Sequence, residues 1–442
     1  MSDMYYDIYS YFTSLYINGG LLHFIFLFFP FVIILELPYC AITIVYSIKG
    51  WLRIQDPSLS THPYCPLITI VVTAYNEGKE DISNTIKSIY EQIYSGSIET
   101  LIIVDNAPVN HQTTLYARQI AQSYPNTPHR SIQVIAKQTR GGHASSMNLG
   151  LKLAKGVVLV MIDADTSIDN QTIAKAAAHF VTSNVIAVSG AVRVRNIKAS
   201  LITRLQTIEY MIGIQLGRFG LTELQVTNNI SGAFGIFRTS FLKQIGGWLN
   251  GTAEDLDLTL RIHAYSHRYP HLKIVHEPMA IAWTAAPSTL KNLFKQRLRW
   301  DGDLYYIYVR RHWQKFNSKI VNKTKMFFLI WYGLYYQLAL PFIVVFYTIV
   351  LFLSYTIGTI IGIYLLIYVY YLLLSFLQYF LFLLLVSERS KQDLRMIGWL
   401  FAYPFYQQMM RLIAVVFIMN EILFKGHKDT TMAPWWVIRK SK

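Results

Sequence analysis

The sequence predicts an α/β domain inserted between transmembrane helices, in a polytopic membrane protein. Three observations carry that expectation. Of the 442 residues, 53% are hydrophobic and only 15% charged, and the mean hydropathy is +0.31, too apolar for an ordinary soluble enzyme. Residues 66–165 alternate continuous apolar runs with helical stretches, the order of a parallel sheet covered on both faces. Apolar stretches long enough to cross a bilayer lie on either side of that region.

Residues 21–48 are long enough to cross with tilt, although Pro30, Glu36 and Pro38 interrupt them. Glu36 inside such a run is either a functional group or one that faces a neighbouring helix. The acidic, aromatic start (MSDMYYDIY) does not read as a cleavable signal peptide. Together with Lys49 and Arg53 it places the start outside and residue 50 onward in the cytoplasm. Cys40 and Cys65 do not suggest a disulfide framework.

The run 67–74 (LITIVVTA) is the first strand and a helix follows at about 80–93. A strand at 100–105 (TLIIVD), a helix near 111–123, a strand at 132–136 and a helix from His143 to about 154 continue the pattern. The fourth strand, 157–162 (VVLVMI), ends in Asp163-Ala164-Asp165. This order predicts a doubly wound sheet with ligands at the C-terminal strand ends, where Tyr75-Asn76-Glu77 and Asp105-Asn106 also stand. No Gly-x-Gly-x-x-Gly follows the first strand, which weakens a dinucleotide reading. Residues 184–196 read as a further strand pair, 201–219 as an amphipathic helix, and 229–238 (NISGAFGIFR) as a strand with a tight turn. Glu254-Asp255 opens another helix, where the two carboxylates are either caps or functional groups.

The helical run 290–300 (LKNLFKQRLRW) is basic and tipped by an aromatic ring. It fits an interfacial helix facing lipid phosphates, or an active-site helix in which Arg299 receives an anionic leaving group and Trp300 stacks on a sugar. Beyond it, 326–356, 358–386 and 396–423 are apolar, with a charged loop at 387–395 (SERSKQDLR). Four spans are expected in all. The last one is open to an interfacial or re-entrant course, because alternation puts the C-terminus outside while the basic tail argues for inside.

These groups share a chemistry. An Asp-x-Asp at a strand end suits a divalent cation bridging two phosphates. A separate carboxylate at Asp255 can take a proton from an attacking hydroxyl. Gln296 and Arg299 can hold a departing diphosphate. Each element alone is weak; their order and strand-end placement make the set.

Residues 66–300 resemble the membrane-integrated family 2 glycosyltransferases, which include cellulose, chitin, hyaluronan and poly-N-acetylglucosamine synthases. The matching text is VVTAYNE (71–77), VDN (104–106), RGGHASSMNLG (140–150), DADT (163–166), AEDLDLTLR (253–261) and QRLRW (296–300). RVRN (193–196), ITRLQTIEYMIGI (202–214), SGAFGIFR (231–238) and WTAAPSTLKNLFKQRLRW (283–300) are most similar to bacterial poly-N-acetylglucosamine synthases. The resemblance implies a GT-A fold. It implies that Thr73, Tyr75, Glu77, Asp105, His143 and Asp163 hold the donor nucleotide, and that Asp165 with Asp163 binds Mg2+ or Mn2+. Asp255, with Glu254 beside it, would supply the general base. Gln296, Arg299, Trp300, Ser231 and Gly232 would frame the diphosphate and the acceptor. Residues 1–50 would then hold the first span, 51–325 the cytoplasmic catalytic domain with interfacial helices, 326–424 about three C-terminal helices, and 425–442 a basic tail.

Two departures stand out. Relatives usually have Gly-Gly-Lys where this chain has Gly141-Gly142-His143, which makes the cation titratable. Small residues usually follow the Arg-Trp pair, but here Asp301-Gly302-Asp303 follows. The expected function is an inverting, processive synthase at a bacterial cell membrane. It would polymerise a UDP-sugar, UDP-N-acetylglucosamine first, and export the β-linked exopolysaccharide through its helices. The alternatives are a hyaluronan-, cellulose- or mannosaminan-like synthase and a single-transfer lipid-linked sugar transferase. The net charge of +15 is assigned to anionic lipid and a phosphorylated substrate, not nucleic acid. The sequence ends without a cyclic-dinucleotide-binding domain, so such control would have to come through a partner such as a small membrane accessory subunit.

Overall fold

The computed structural model describes residues 32–54, 64–316 and 320–428, together with Tyr6, Ser10 and Pro434. The first part of the N-terminal apolar run and most of the basic tail lie outside the described residues. The strands are β1 (Ile68–Ala74), β2 (Ile98–Val104), β3 (Arg130–Ala136), β4 (Val158–Asp163), β5 (Ser167–Ile168), β6 (Val185–Val194), β7 (Phe234–Arg238) and β8 (Lys273–Thr284). They form a single sheet in the order β3-β2-β1-β4-β7-β6-β8-β5.

β3, β2, β1 and β4 are parallel, as the four apolar runs predict. Every residue of β1 and β2 is buried, because helices cover both faces. On one face Ile70 and Val72 pack with Ile82 and Ile86 of the Lys79–Tyr90 helix and with Ile173 and Ala176 of the Thr172–Ala178 helix. On the other face Val71 meets Met147 and Leu151 of the His143–Leu153 helix, and Leu258 and Ile262 of the Glu254–Arg268 helix complete the layer. Full burial of each such aliphatic side chain contributes about 1.5–3 kcal/mol, so the two layers hold the strand ends in fixed register. Gly150 lets the second layer approach, since a Cβ there would run into Val71.

The sheet is mixed beyond β4. β7 runs antiparallel to both β4 and β6, while β8 is parallel to β6. Residues 184–196 were expected to give a strand pair; the structure instead has one ten-residue strand, β6. The sequence reading missed β8, in which Glu277-Pro278-Met279 disrupts the alternation. The β6–β8 register shifts there, between Gly190 and Ala191. The predicted helix at 201–219 runs from Leu201 through a π-helical stretch, Tyr210–Gly217, to Glu223. Ser200 and Thr203 close its capping box.

Among the described residues three helices are long and apolar enough to cross a membrane: Lys323–Ser354, Ile357–Leu385 and Tyr403–Phe424. Glu36 pairs with Arg411 at 3.0 Å and accepts the Tyr371 hydroxyl at 2.9 Å, so the interrupting glutamate faces neighbouring helices. The last helix is tied to the α/β domain near both ends. Tyr406 donates to Glu209 at 2.8 Å, and Arg310 reaches Glu421 at 3.4 Å and the Ile422 carbonyl at 3.0 Å. The loop before it is clamped as well. Buried Arg193 on β6 meets Asp393 at 3.0 Å and Glu388 at 2.7 Å, and Arg389 meets Asp169 at 3.2 Å.

Candidate active site

The chain runs outward from β1 to β2 and β3, then crosses back to β4 on the other side of β1, which makes the β1/β4 boundary the switch point of the sheet. Thr73 and Asp163 are register partners there, and the Thr73 hydroxyl lies 3.5 Å from the Asp163 carboxylate. Asn76 takes a left-handed conformation with φ 61°, which turns the chain after Tyr75 and aims Glu77 back toward the cleft. Arg140 covers the Tyr75 ring at 4.6 Å.

Glu77, Asp163 and Asp165 are brought close enough to feel one another's charge. Burial, followed by repulsion from Asp165, Asp163 and Asp81, pushes Glu77 up to about 7. Burial and Asp163 push Asp165 up to about 6. Among the described residues no three His, Cys, Asp or Glu side chains are arranged to hold a metal by themselves. Hard carboxylate oxygens that repel one another at adjacent strand ends fit a divalent cation that takes its other ligands from phosphate and water.

His143, at the start of its helix, joins two parts of the site. Nε2 lies 3.0 Å from Asp163 and 3.0 Å from Thr73, and Nδ1 lies 2.5 Å from Glu254. Burial opposes its charge, but the Glu254 and Asp163 carboxylates prevail and raise its pKa well above the usual histidine value. The carboxylates thus bias toward its cationic form the histidine that stands where relatives usually have lysine. Asp105 has close partners of its own: Lys137 at 2.6 Å and the backbone N–H groups of Gly141 and Gly142 at 3.1 and 2.9 Å. It shapes the loop before His143.

Asp255 stands at the opening of the Glu254–Arg268 helix, after Ala253 in the left-handed region at φ 51°. One carboxylate oxygen accepts from Asn229 Nδ2 and from the Gly232 N–H, both at 3.0 Å; the other accepts from the Leu256 N–H at 2.7 Å. Gly232 supplies that donor at close quarters, and Ser231 forms the turn into β7 beside it. Burial and Glu254 raise the Asp255 pKa against the pull of those donors. Asp257, two residues on, is fully committed elsewhere, to His312 at 2.6 Å, Arg261 at 2.8 Å and Arg311 at 3.4 Å.

The Leu290–Tyr305 helix, capped by Thr289, brings QRLRW to the cleft. Its two arginines differ. Arg297 pairs with Glu209 at 2.5 Å and lies over the Trp300 ring at 4.7 Å. Arg299 makes no hydrogen bond or ion pair among the described residues, and its charge acts on the buried carboxyl of Asp303. Gln296 Oε1 and Asn229 Oδ1 are buried polar atoms that have no hydrogen-bond partner among the described residues. Sequence reasoning missed Asn229, Lys137 and Glu209; only the Asn228-Asn229 pair before Ser231-Gly232 offered a signal. Carboxylates clustered at the β1 and β4 strand ends, a fixed carboxylate at Asp255 and an arginine without an ion-pair partner among the described residues are a set that can bind a metal-bridged diphosphate and deprotonate a hydroxyl.

The sequence matches the family described as glycosyltransferase like family 2 over residues 65–302. The poly-beta-1,6-N-acetyl-D-glucosamine synthase of Staphylococcus epidermidis is 28% identical over 262 residues, 59% of this chain and 60% of that protein. The synthase of the same name from Staphylococcus aureus strain COL is 29% identical over 259 residues, 57% of this chain and 58% of that protein. The match thus spans about 60% of the length of these relatives. Among solved structures, a mannosyltransferase from Pyrobaculum calidifontis in complex with GDP-Man and Mn2+ superposes with a TM-score of 0.55 at 18% identity. That match covers 89% of this chain and 98% of the other. It shows the fold, a GT-A-like domain.

Proposed function

The chain belongs to glycosyltransferase like family 2, and from that premise we propose that it polymerises a UDP-sugar, UDP-N-acetylglucosamine first among candidates, into a β-linked polysaccharide. The observation that carries the reading is the contrast between a fixed carboxylate and an arginine left without an ion-pair partner among the described residues. Asp255 is fixed by Asn229 and Gly232, while Arg299 has no partner among the described residues. The names of the Staphylococcus relatives support N-acetylglucosamine as the sugar.

In this mechanism Thr73, Tyr75 and Glu77 line the nucleoside side of the cleft. His143 lends its charge to the donor end of Asp163, and Asp105 holds the loop that presents His143. Asp163 and Asp165 would hold Mg2+ or Mn2+, which when bound neutralises diphosphate charge. The acceptor hydroxyl attacks the anomeric carbon from the face opposite the diphosphate. Asp255 takes its proton as the new glycosidic bond forms and the bond to the diphosphate oxygen breaks. A base acts best with a pKa near the working pH, so the upward shift from burial and Glu254 suits it to this task. Arg299 and Gln296 receive the charge on the departing UDP, and Trp300, stiffened by Arg297, faces the acceptor sugar. Inversion at the anomeric carbon follows from the single displacement.

Residues 51–325 act as the cytoplasmic catalytic unit and 326–424 as a multi-pass membrane region through which the polymer leaves, with a small membrane subunit as partner. The Arg193–Asp393 and Arg297–Glu209–Tyr406 contacts support this coupling of the catalytic cleft to the helices. The test is to incubate the purified chain in liposomes with a panel of UDP-sugars and Mg2+ or Mn2+, following UDP release and product size. Long polymer from UDP-N-acetylglucosamine alone is expected. A single transferred sugar, or turnover only with another donor, would overturn processivity or the donor assignment respectively.

A further inference from the structure

Asp303 lies in the stretch where this chain departs from the small residues its resemblance leads one to expect. It stands four residues after Arg299 on the Leu290–Tyr305 helix, so the two side chains share a face one turn apart. Asp303 is buried. The two residues make no ion pair among the described residues, yet the Arg299 charge reaches the Asp303 carboxyl. Glu254 and Asp255, at the opening of the Glu254–Arg268 helix, act on the same carboxyl through their charge. Asp303 therefore shares a helix face with the arginine, one turn away and buried.

We propose that Asp303 is a positioning residue that acts through Arg299, tempering its hold on the diphosphate so that the spent nucleotide leaves. The inference rests on the reading of Arg299 as the diphosphate's receiver. An arginine with no protein partner gives its full charge to an anion, and that attraction is greatest after the glycosidic phosphate bond breaks and the diphosphate gains charge. A carboxylate several ångströms away, too far to pair, still subtracts from the local positive potential, because Coulomb energy falls only as the inverse of distance. Within a buried wall it is screened less by salt than a surface charge would be. Release of product often limits such enzymes, so a carboxylate here trades some donor affinity for turnover.

The test is calorimetric titration of the detergent-solubilised full chain with UDP and Mg2+ at pH 8. There the carboxyl is mostly ionised, since burial pushes it up to about 7. Wild type, Asp303→Asn and Asp303→Glu are compared, with turnover at saturating donor alongside. Asp303→Asn keeps shape and removes charge; it should bind UDP about three- to tenfold more tightly and turn over more slowly. Asp303→Glu restores the charge and should return both values toward wild type. A misfolded variant loses affinity, so a gain cannot come from structural damage. Unchanged or weaker UDP binding in Asp303→Asn, or equally tight binding in Asp303→Glu, would overturn the inference while leaving the role of Arg299 standing. Wild type that binds no UDP would overturn both.

Discussion

Asp257→Asn distinguishes a structural carboxylate from the base two residues before it. Burial alone would push the Asp257 carboxyl up. The hydrogen bond from His312 and the charges of Arg311 and Arg261 override burial and hold it at about 2. Against an ordinary value of 3.8, that depression corresponds to about 2.5 kcal/mol of stability at neutral pH. The direction follows from the shift. The contribution is complete above the unfolded carboxylate pKa of about 4 and is lost as pH falls through the folded value of about 2. Asparagine can accept a hydrogen bond but leaves Arg261 and Arg311 without their counter-charge. Thermal unfolding of the solubilised chain, followed by tryptophan fluorescence, should drop by about 3 °C at pH 7. The gap between variant and wild type should narrow as the pH approaches 3. UDP-release activity below the unfolding temperature should stay within a few-fold of wild type. An unchanged unfolding temperature, or abolished turnover in a normally stable protein, would refute this division of labour and make Asp257 the candidate base.

Two further predictions concern charge in the cleft. Asp165→Asn should lose metal-dependent turnover, as should wild type in excess EDTA; UDP release that persists in either would defeat the metal assignment. Arg299→Ala should weaken UDP binding by about 1.5–3 kcal/mol without lowering the unfolding temperature. Arg297→Ala should do the reverse, because it breaks the Glu209 pair and uncovers Trp300. Calorimetry with UDP, paired with thermal unfolding, separates the two arginines, and identical behaviour would refute the distinction.

β1, β2 and β4 were legible because each is buried on both faces and so reads as a largely apolar run, while β3, an outer strand with exposed residues, was placed by the repeating strand-helix order. Strand ends then placed Glu77, Asp105 and Asp163 at one edge without further information. β8 was not legible: its Glu277-Pro278-Met279 bulge breaks the period, and its pairing with β6 comes from a part of the chain about 90 residues earlier. The division between Arg297 and Arg299 was also hidden. Helical spacing set Arg297 apart from Gln296, Arg299 and Trp300, but its partner Glu209 lies in a helix far off in sequence. The same holds for Asn229 and Asp255, and for His143 and Glu254, which are separated by 111 positions. Residue type suggested a titratable cation at His143; only the fold supplies the two carboxylates that favour its charged form.

The account rests most directly on Asp255 as the group that takes the acceptor's proton, and Asp255→Asn tests it in a paired measurement of UDP affinity and turnover. The amide can keep its oxygen toward Asn229 and Gly232, so donor-site geometry should survive. UDP affinity by calorimetry should match wild type, while UDP release per bound donor should fall by roughly 10²–10⁴-fold. Lost UDP affinity with normal turnover per bound donor would contradict the account, placing Asp255 in the donor site and moving the search for the base to Glu254.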